Sequence, residues 1–369
     1  MSSSQTAAEP TTSQRPSGMR TFAAIFLILH LPLFFYPVLR LCHWLEFGQL
    51  TTILILTPVA ASQVISRWWL RGARSWFAKR VRQIADFVLG MSPITIMALL
   101  VAEIAVAGGL AQPYGAAWAV VAVTVVVSIY GLIMAIRPMV RRIALTAGHL
   151  QRPVRIVQIT DVHIGSRSSR FLDRIVDRIL ELEPDFLCIT GDFVDAPGIT
   201  ERELASLGKI ECPIYFCIGN HERYEDLQNI VERLEHLGVV VLRNRHTKFR
   251  EDVQVIGIDD RDDALQVERV LDRMTLDDES FVVLMYHRPH GFEAAARKGI
   301  DLMLSGHTHN GQIFPFHLVV KSAFDRVAGL YELGQSRLYV SQGTGTWGPV
   351  MRVGTRAEIT LFEYEGSRD

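Results

Sequence analysis

The chain has 369 residues, with 38 Lys and Arg against 39 Asp and Glu and a formal net charge of −1. That near-neutral total hides a split: residues 1–150 hold 12 basic and 4 acidic side chains, whereas residues 151–369 hold 26 and 35. A basic, apolar first part and an acidic second part exclude one uniform soluble domain and point to a membrane region followed by a soluble domain. The acidic part shows no basic stripe with interleaved aromatics, so no nucleic-acid partner is expected.

Residues 1–20 are rich in Ser, Thr, Gln and Pro and read as a disordered tail. Four apolar segments follow, near 21–41, 50–66, 84–108 and 116–136. The fourth carries no charge from Ala116 to Ile136, long enough at helical rise to cross about 30 Å of hydrocarbon. The first contains His30, Pro32 and Pro37, and is too long for a cleaved signal peptide. The second is the shortest. The third carries Glu103, for which no charged partner is evident in the other segments. Together these predict a four-helix, all-α transmembrane region over 21–150.

Arg67, Arg71, Arg74, Lys79, Arg80 and Arg82 crowd the connection between segments two and three, and Arg137, Arg141 and Arg142 follow segment four. Residues 109–115 contain no Lys or Arg. Positive charge marks the cytoplasmic side, so the expectation is a multi-pass protein of the cell (inner) membrane with its second part in the cytoplasm. Trp68, Trp69, Trp76 and Phe77 interleave with the basic residues. They suit either a helix lying in the headgroup layer or the anchored ends of two spans. Cys42, Cys188, Cys212 and Cys217 have no paired spacing and read as free thiols in a reducing compartment.

After residue 150 the texture changes. Val154–Thr160, Phe186–Thr190, Ile214–Ile218, Val239–Leu242, Val253–Ile258, Phe281–Tyr286 and Leu302–Ser305 read as strands. Arg170–Glu183 and Tyr224–Leu237 have apolar residues at helical spacing. Strands alternating with helices predict an α/β domain over 151–369.

The polar residues that stand out lie where those strands end: Asp161 and His163, Asp192, Asn220 and His221, His287, and His307 and His309. Sites in α/β sheets gather at the carboxyl ends of strands. Imidazole, carboxylate and amide without thiolate suit zinc, iron or manganese. Two such ions close together can bind a phosphoryl oxygen and activate a water.

In this order, Asp-x-His, Gly-Asp-x-x-Asp, Gly-Asn-His-Glu, a lone His and Gly-His-Thr-His resemble the calcineurin-like metallophosphoesterases, over roughly 153–365. The stretch Gly306–Gln312 and the tail Gly343–Pro349 resemble a membrane-associated subgroup that includes phosphodiesterases and lipid-precursor pyrophosphatases. The resemblance implies a four-layer αββα sandwich and two divalent ions, with manganese, zinc, iron or cobalt all admissible. It implies that Asp161, His163, Asp192 and His309 hold the first ion. Asp192 would bridge to the second, which Asn220, His287 and His307 complete. It further implies a metal-bridging hydroxide as nucleophile, His221 as acid or electrostatic helper, and Asp195 as the acceptor that orients His221. The expected substrate is a phosphodiester or pyrophosphate that is membrane-proximal or lipid-linked, with the bilayer itself as partner. The competing reading is a metal-binding membrane sensor or scaffold.

Other residues carry weaker expectations. His30, His43, His149, His236, His246 and His317 receive no role. His290 is a candidate outer contact, and Arg288 is either a phosphate contact or a surface salt bridge. Asp259, Asp260, Asp262 and Asp263 lack the spacing of a calcium loop and read as a solvated turn. Phe314, Phe316, Phe324 and Trp347 either line an acyl-chain groove or pack the fold.

Overall fold

A computed structural model describes residues 30–70, 73, 75–148 and 150–366. The tail 1–20, the start of the first apolar segment, Arg71, Arg74 and His149 lie outside them. Among the described residues three helices are long and apolar enough to cross a membrane: Gln49–Trp69, Trp76–Ala107 and Pro113–Ile136. The described part of the first segment is a π-helical turn, Leu31–Phe35, running into the helix Tyr36–Trp44. On its own that part is shorter than a span.

Trp68 and Trp69 close one long helix, and Trp76 and Phe77 open the next. All four side chains are exposed. These four aromatic residues thus sit on the ends of two long helices. Glu103 does have a charged partner, contrary to the sequence reading. Arg40 Nη2 donates to Glu103 Oε2 at 2.8 Å, and the Tyr36 hydroxyl donates to Oε1 at 3.1 Å. The pair is separated by 63 residues, so only helix packing reveals it.

Among the described residues twelve strands form two six-stranded sheets. The first runs β1 (Met139–Ala147), β12 (Glu358–Gly366), β2 (Val154–Ile159), β3 (Phe186–Thr190), β4 (Ile214–Cys217), β5 (Val240–Val241). The second runs β10 (Gly329–Leu333), β11 (Ser336–Val340), β9 (Leu302–Ser305), β8 (Phe281–Tyr286), β7 (Val253–Ile258), β6 (Arg245–Arg250). The middle of each sheet is parallel, β2-β3-β4 and β7-β8-β9. Strands such as Phe-Leu-Cys-Ile-Thr and Phe-Val-Val-Leu-Met-Tyr are apolar throughout because both of their faces are covered.

One face of each sheet meets the other. Ile156, Phe186, Cys188 and Cys217 of the first sheet share a core with Val255, Phe281, Val283 and Leu304 of the second. The helices Ser169–Leu180 and Leu227–His236 cover the far side of the first sheet. Gln266–Leu271 and Phe292–Arg297 cover the far side of the second. Cys42, Cys188 and Cys217 are buried and Cys212 is partly exposed; all four are free thiols.

The sheet begins earlier than the boundary at 151 expected from composition. Met139–Ala147 pairs in parallel with Glu358–Gly366 along nine residues, starting soon after the last long helix ends at Ile136. Arg141 and Arg142 lie in this edge strand, where Arg142 meets Glu363 at 3.3 Å. As basic residues after an apolar helix they resembled a membrane anchor, which masked the alternating strand.

Candidate metal centre

The carboxyl ends of β2, β3 and β4 in one sheet and of β8 and β9 in the other open on one mouth. Asp161 and His163 follow β2, Asp192 follows β3, Asn220 and His221 follow β4, His287 follows β8, and His307 and His309 follow β9. The sandwich therefore brings together all eight residues expected from sequence at strand ends.

The backbone pays a conformational cost there. Asp161, His163, Asp192, His307 and His309 all have φ between 47° and 72°, the left-handed region that side chains rarely adopt. Each such residue costs on the order of 1 kcal/mol or more, and such residues persist where surrounding bonds fix them. Asp161 N–H donates to Gly191 O at 3.0 Å, His163 N–H to Asp192 O at 3.1 Å, and His307 N–H to Asp161 Oδ2 at 3.1 Å. Two glycines make room for this crossing of loops. A Cβ at Gly191 would stand 2.7 Å from His287 Nδ1, and one at Gly306 would stand 2.2 Å from Thr160 Oγ1. No other residue fits either position.

Two clusters of donor atoms result. In the first, His309 Nε2 lies 3.3 Å from Asp161 Oδ1 and 3.2 Å from His163 Nε2. In the second, His287 Nε2 lies 3.0 Å from Asp192 Oδ2 and 3.2 Å from His307 Nδ1. The donor atoms of Asp161, His163 and His309 lie within 4.8 Å of one another, as do those of Asp192, His287 and His307. His287 Nδ1 faces the Thr190 carbonyl at 2.9 Å, so that nitrogen carries the proton and Nε2 turns to the mouth. Asn220 Oδ1 is buried and has no hydrogen-bond partner. Ring nitrogens facing each other, a buried amide oxygen without a donor and no thiolate together fit a divalent cation.

The electrostatics follow from crowding. Burial opposes ionisation of Asp161 and Asp192, yet the surrounding imidazoles hold both carboxyls well below the usual carboxylate range. Burial pulls His287 down, but the Asp192 carboxylate outweighs it and pushes the ring up to about 10. Burial and the neighbouring His287 push His307 down to about 3. Burial also lowers His221, whose ring is more open than the fully buried His163 and His287 and lies 4.8 Å from that of His163.

Asp195 reaches the site from the loop after β3. Its Oδ2 lies 3.4 Å from His163 Nδ1, and its Oδ1 accepts the Ser166 N–H at 2.8 Å. The nearer ring is thus His163. A donor atom of His221, the residue Asp195 was expected to orient, lies within 4.8 Å in the same group.

Two further residues escaped the sequence reading. Glu222 is fully buried. It accepts backbone N–H bonds from Asp192 at 3.0 Å, Phe193 at 2.6 Å, Val194 at 2.9 Å and Gly219 at 2.8 Å. It clamps the loops after β3 and β4 together. Its place in Gly-Asn-His-Glu was the available signal. Burial and nearby Asp192 push its carboxyl up to about 7, against the pull of those amides. Arg352 is also fully buried. It donates to the carbonyls of Gln342 at 2.6 Å, Gly345 at 2.8 Å and Gly343 at 3.2 Å, with Nη2 3.3 Å from His309 Nδ1. No sequence signal marked it.

Only part of the acidic run is a solvated turn: Asp262 is exposed, but Asp259 and Asp260 are buried. Asp260 is fully buried and pairs with Arg288 at 2.7 Å and Arg223 at 3.4 Å; Asp259 pairs with Arg243 at 2.8 Å. Three arginines far apart in sequence meet the two aspartates there, which no local pattern announces. Arg288 is accordingly an ion-pair residue. His290 reaches the site only through Phe324, whose ring stacks on it at 5.2 Å and meets His307 edge-on at 5.5 Å.

Residues 154–311 match the calcineurin-like phosphoesterase family. An uncharacterized metallophosphoesterase of Aquifex aeolicus is 31% identical over 224 residues, 58% of this chain and 85% of that protein. A transmembrane protein with metallophosphoesterase domain from Danio rerio is 34% identical over 264 residues, 64% of this chain and 60% of that protein. An uncharacterized metallophosphoesterase of Campylobacter jejuni is 31% identical over 244 residues, 63% of this chain and 64% of that protein. The chain thus spans somewhat under two thirds of the last two relatives.

Proposed function

Because the chain belongs to the calcineurin-like metallophosphoesterases, metal-dependent hydrolases of phosphoesters, we propose that it cleaves a phosphodiester or pyrophosphate bond at two divalent ions, on a membrane-proximal or lipid-linked substrate. The observation that carries this reading is the pair of imidazole–carboxylate clusters at one mouth, each built on a buried aspartate, Asp161 in one and Asp192 in the other. Asp161, His163 and His309 would hold one ion and Asn220, His287 and His307 the other, with Asp192 reaching both. Bound there, the ions supply a clamp for phosphoryl oxygens and a water acidic enough to attack.

The protein's own groups do the rest. Asp195 Oδ2, 3.4 Å from His163 Nδ1, favours the tautomer with its proton there, which would leave Nε2 free to bind. His221 stays outside both clusters and faces the opening. Burial lowers its proton affinity; an anionic phosphate beside it would raise it again, so that the ring, protonated from solvent, would give that proton to the leaving oxygen. Glu222 fixes the backbone that carries Asp192 and Asn220.

Membrane proximity is supported by the loop that closes the mouth. Arg352 N–H donates to Gly131 O of the helix Pro113–Ile136 at 2.9 Å, and Arg167 Nη2 donates to Ala135 O at 3.3 Å. Trp347 of the same loop has its ring centroid 6.5 Å from that of His221. The Arg-rich connection favours a cytoplasmic site, with the segment near 21–41 completing a four-span anchor.

The decisive assay uses the full-length protein in detergent, because a fragment starting at 151 would lose β1. Bis-p-nitrophenyl phosphate is expected to be hydrolysed with manganese, zinc, iron or cobalt added. A folded protein inert with all four ions would refute the enzymatic reading. A cytoplasm-dependent reporter fused after Asp369 should be active; activity of an export-dependent reporter instead would reverse the orientation.

A further inference from the structure

The α/β domain is sunk into the helices rather than perched on them. Ile313 shares a buried cluster with Ile94 and Met351, and Val127 packs against it. Val127 lies 14 residues after Pro113, and Ile94 lies 13 residues before Ala107. At 1.5 Å per residue, both stand about 20 Å along their helices from the ends remote from the domain. The hydrocarbon of a bilayer is about 30 Å thick, which puts this cluster roughly 10 Å below the near surface. Two helices running in opposite directions give the same depth. Phe314 lines an apolar groove together with Met97, Val123 and Val127 of those helices.

The chain then enters the eight-residue helix Phe316–Ala323, none of whose residues is buried. Phe314, Phe316, Leu318 and Val319 are 42%, 43%, 59% and 63% exposed. Four large apolar side chains within six residues form a patch that a water-facing surface rarely tolerates. The patch is continuous, through Phe314, with the lipid-facing helices, and the helix carries a single charge, Lys321, whose long stem lets its ammonium reach water.

We propose that Phe314–Ala323 is an in-plane membrane element, seated in the acyl–headgroup boundary of the same leaflet that receives the near ends of the long helices. Such elements sit about 5–10 Å deep, which agrees with the depth of Ile313. At the far end of the segment, Phe324 meets the ring of His307. The element therefore joins the leaflet to the metal centre and holds the mouth at the lipid surface. This placement stands whether or not the site hydrolyses phosphoesters.

The test labels full-length L318C and V319C with a nitroxide, in nanodiscs of phosphatidylcholine and phosphatidylglycerol. D278C, exposed before β8 at the opposite end of that strand from His287, is the aqueous control, and the unsubstituted protein gives the background of its own thiols. At 318 and 319, collision with oxygen is expected to exceed collision with a water-soluble nickel chelate several-fold, with the reverse at 278. Equal chelate access at 318, 319 and 278 would overturn the proposal. So would spectral broadening at 318 that vanishes on dilution with unlabelled protein, which would show a second copy covering the patch.

Discussion

Along the apolar helices polar side chains are few, and those that meet do so in small groups. Gln63 donates to Ala85 O at 2.6 Å, Arg67 meets Asp86 at 3.0 Å, and Arg40 meets Glu103. At the mouth of the sheets the reverse holds. Asp161, His163, Asp192 and His287 are buried together, ring nitrogens face ring nitrogens, and Asn220 Oδ1 has no donor. A buried polar group without a partner is costly, so a surplus of acceptors in one place marks where something must bind. Ser128 Oγ in the helix Pro113–Ile136 is also buried without a hydrogen bond, but no cluster of metal-ligand side chains accompanies it among the described residues; at the mouth the donor atoms converge and fit a cation.

The largest expected effect of disturbing that contrast comes from Asp192→Asn. Metal content by mass spectrometry and hydrolysis of bis-p-nitrophenyl phosphate should both fall to background, well past the roughly 10–100-fold cost of losing an outer-shell partner. Retained metal with full turnover would remove Asp192 from the centre. His221→Ala should keep the metal and lose about 10²–10⁴-fold in kcat. Loss of the metal in that variant would make His221 a ligand instead of a proton donor.

Two arginines then sharpen the comparison between regions. Arg352→Leu strands the carbonyls of Gln342, Gly343 and Gly345 in a dry interior, and should destabilise the protein by about 3 kcal/mol in a denaturant or thermal melt. Arg40→Gln breaks a pair whose side chains are 34% and 25% exposed, near the end of the helix that carries Glu103. Close to the helix end Glu103 can take up a proton or reach water, so that change should cost less than Arg352→Leu and leave turnover unaltered. Equal losses in the two melts would mean that the helices depend on their polar contacts as heavily as the mouth does.

The central strands were legible because apolar runs of five or six residues, each ending in Gly or a polar motif, fit only covered strands. β2, β3, β7, β8 and β9 lie within a residue of where the pattern puts them. Of the four edge strands, β5 was legible within Val239–Leu242 and β1, β6 and β10 were not; nor were β11 and β12 inside the sheets. β1, β6 and β10 carry Arg, Lys or Glu on solvent faces, and at an edge a strand is held by its one neighbour rather than by its own composition. Arg141 and Arg142 show the difficulty: their charge reads as a membrane anchor until β12 is seen beside them.

What the sequence determined by itself was the chemistry available: apolar stretches long enough to span, carboxylates and imidazoles at strand ends, no thiolate among them. These are local facts, fixed by composition and spacing. The tertiary structure alone decided the partnerships. It put Glu103 against Arg40, buried Asp260 between two arginines, turned Asp195 toward His163, and laid Ile313 beside Val127. It also bent five site residues into left-handed backbone, which no residue prefers alone and which surrounding loops impose. Such contacts join positions tens to hundreds of residues apart, and their energies exist only once the sheets and helices have packed.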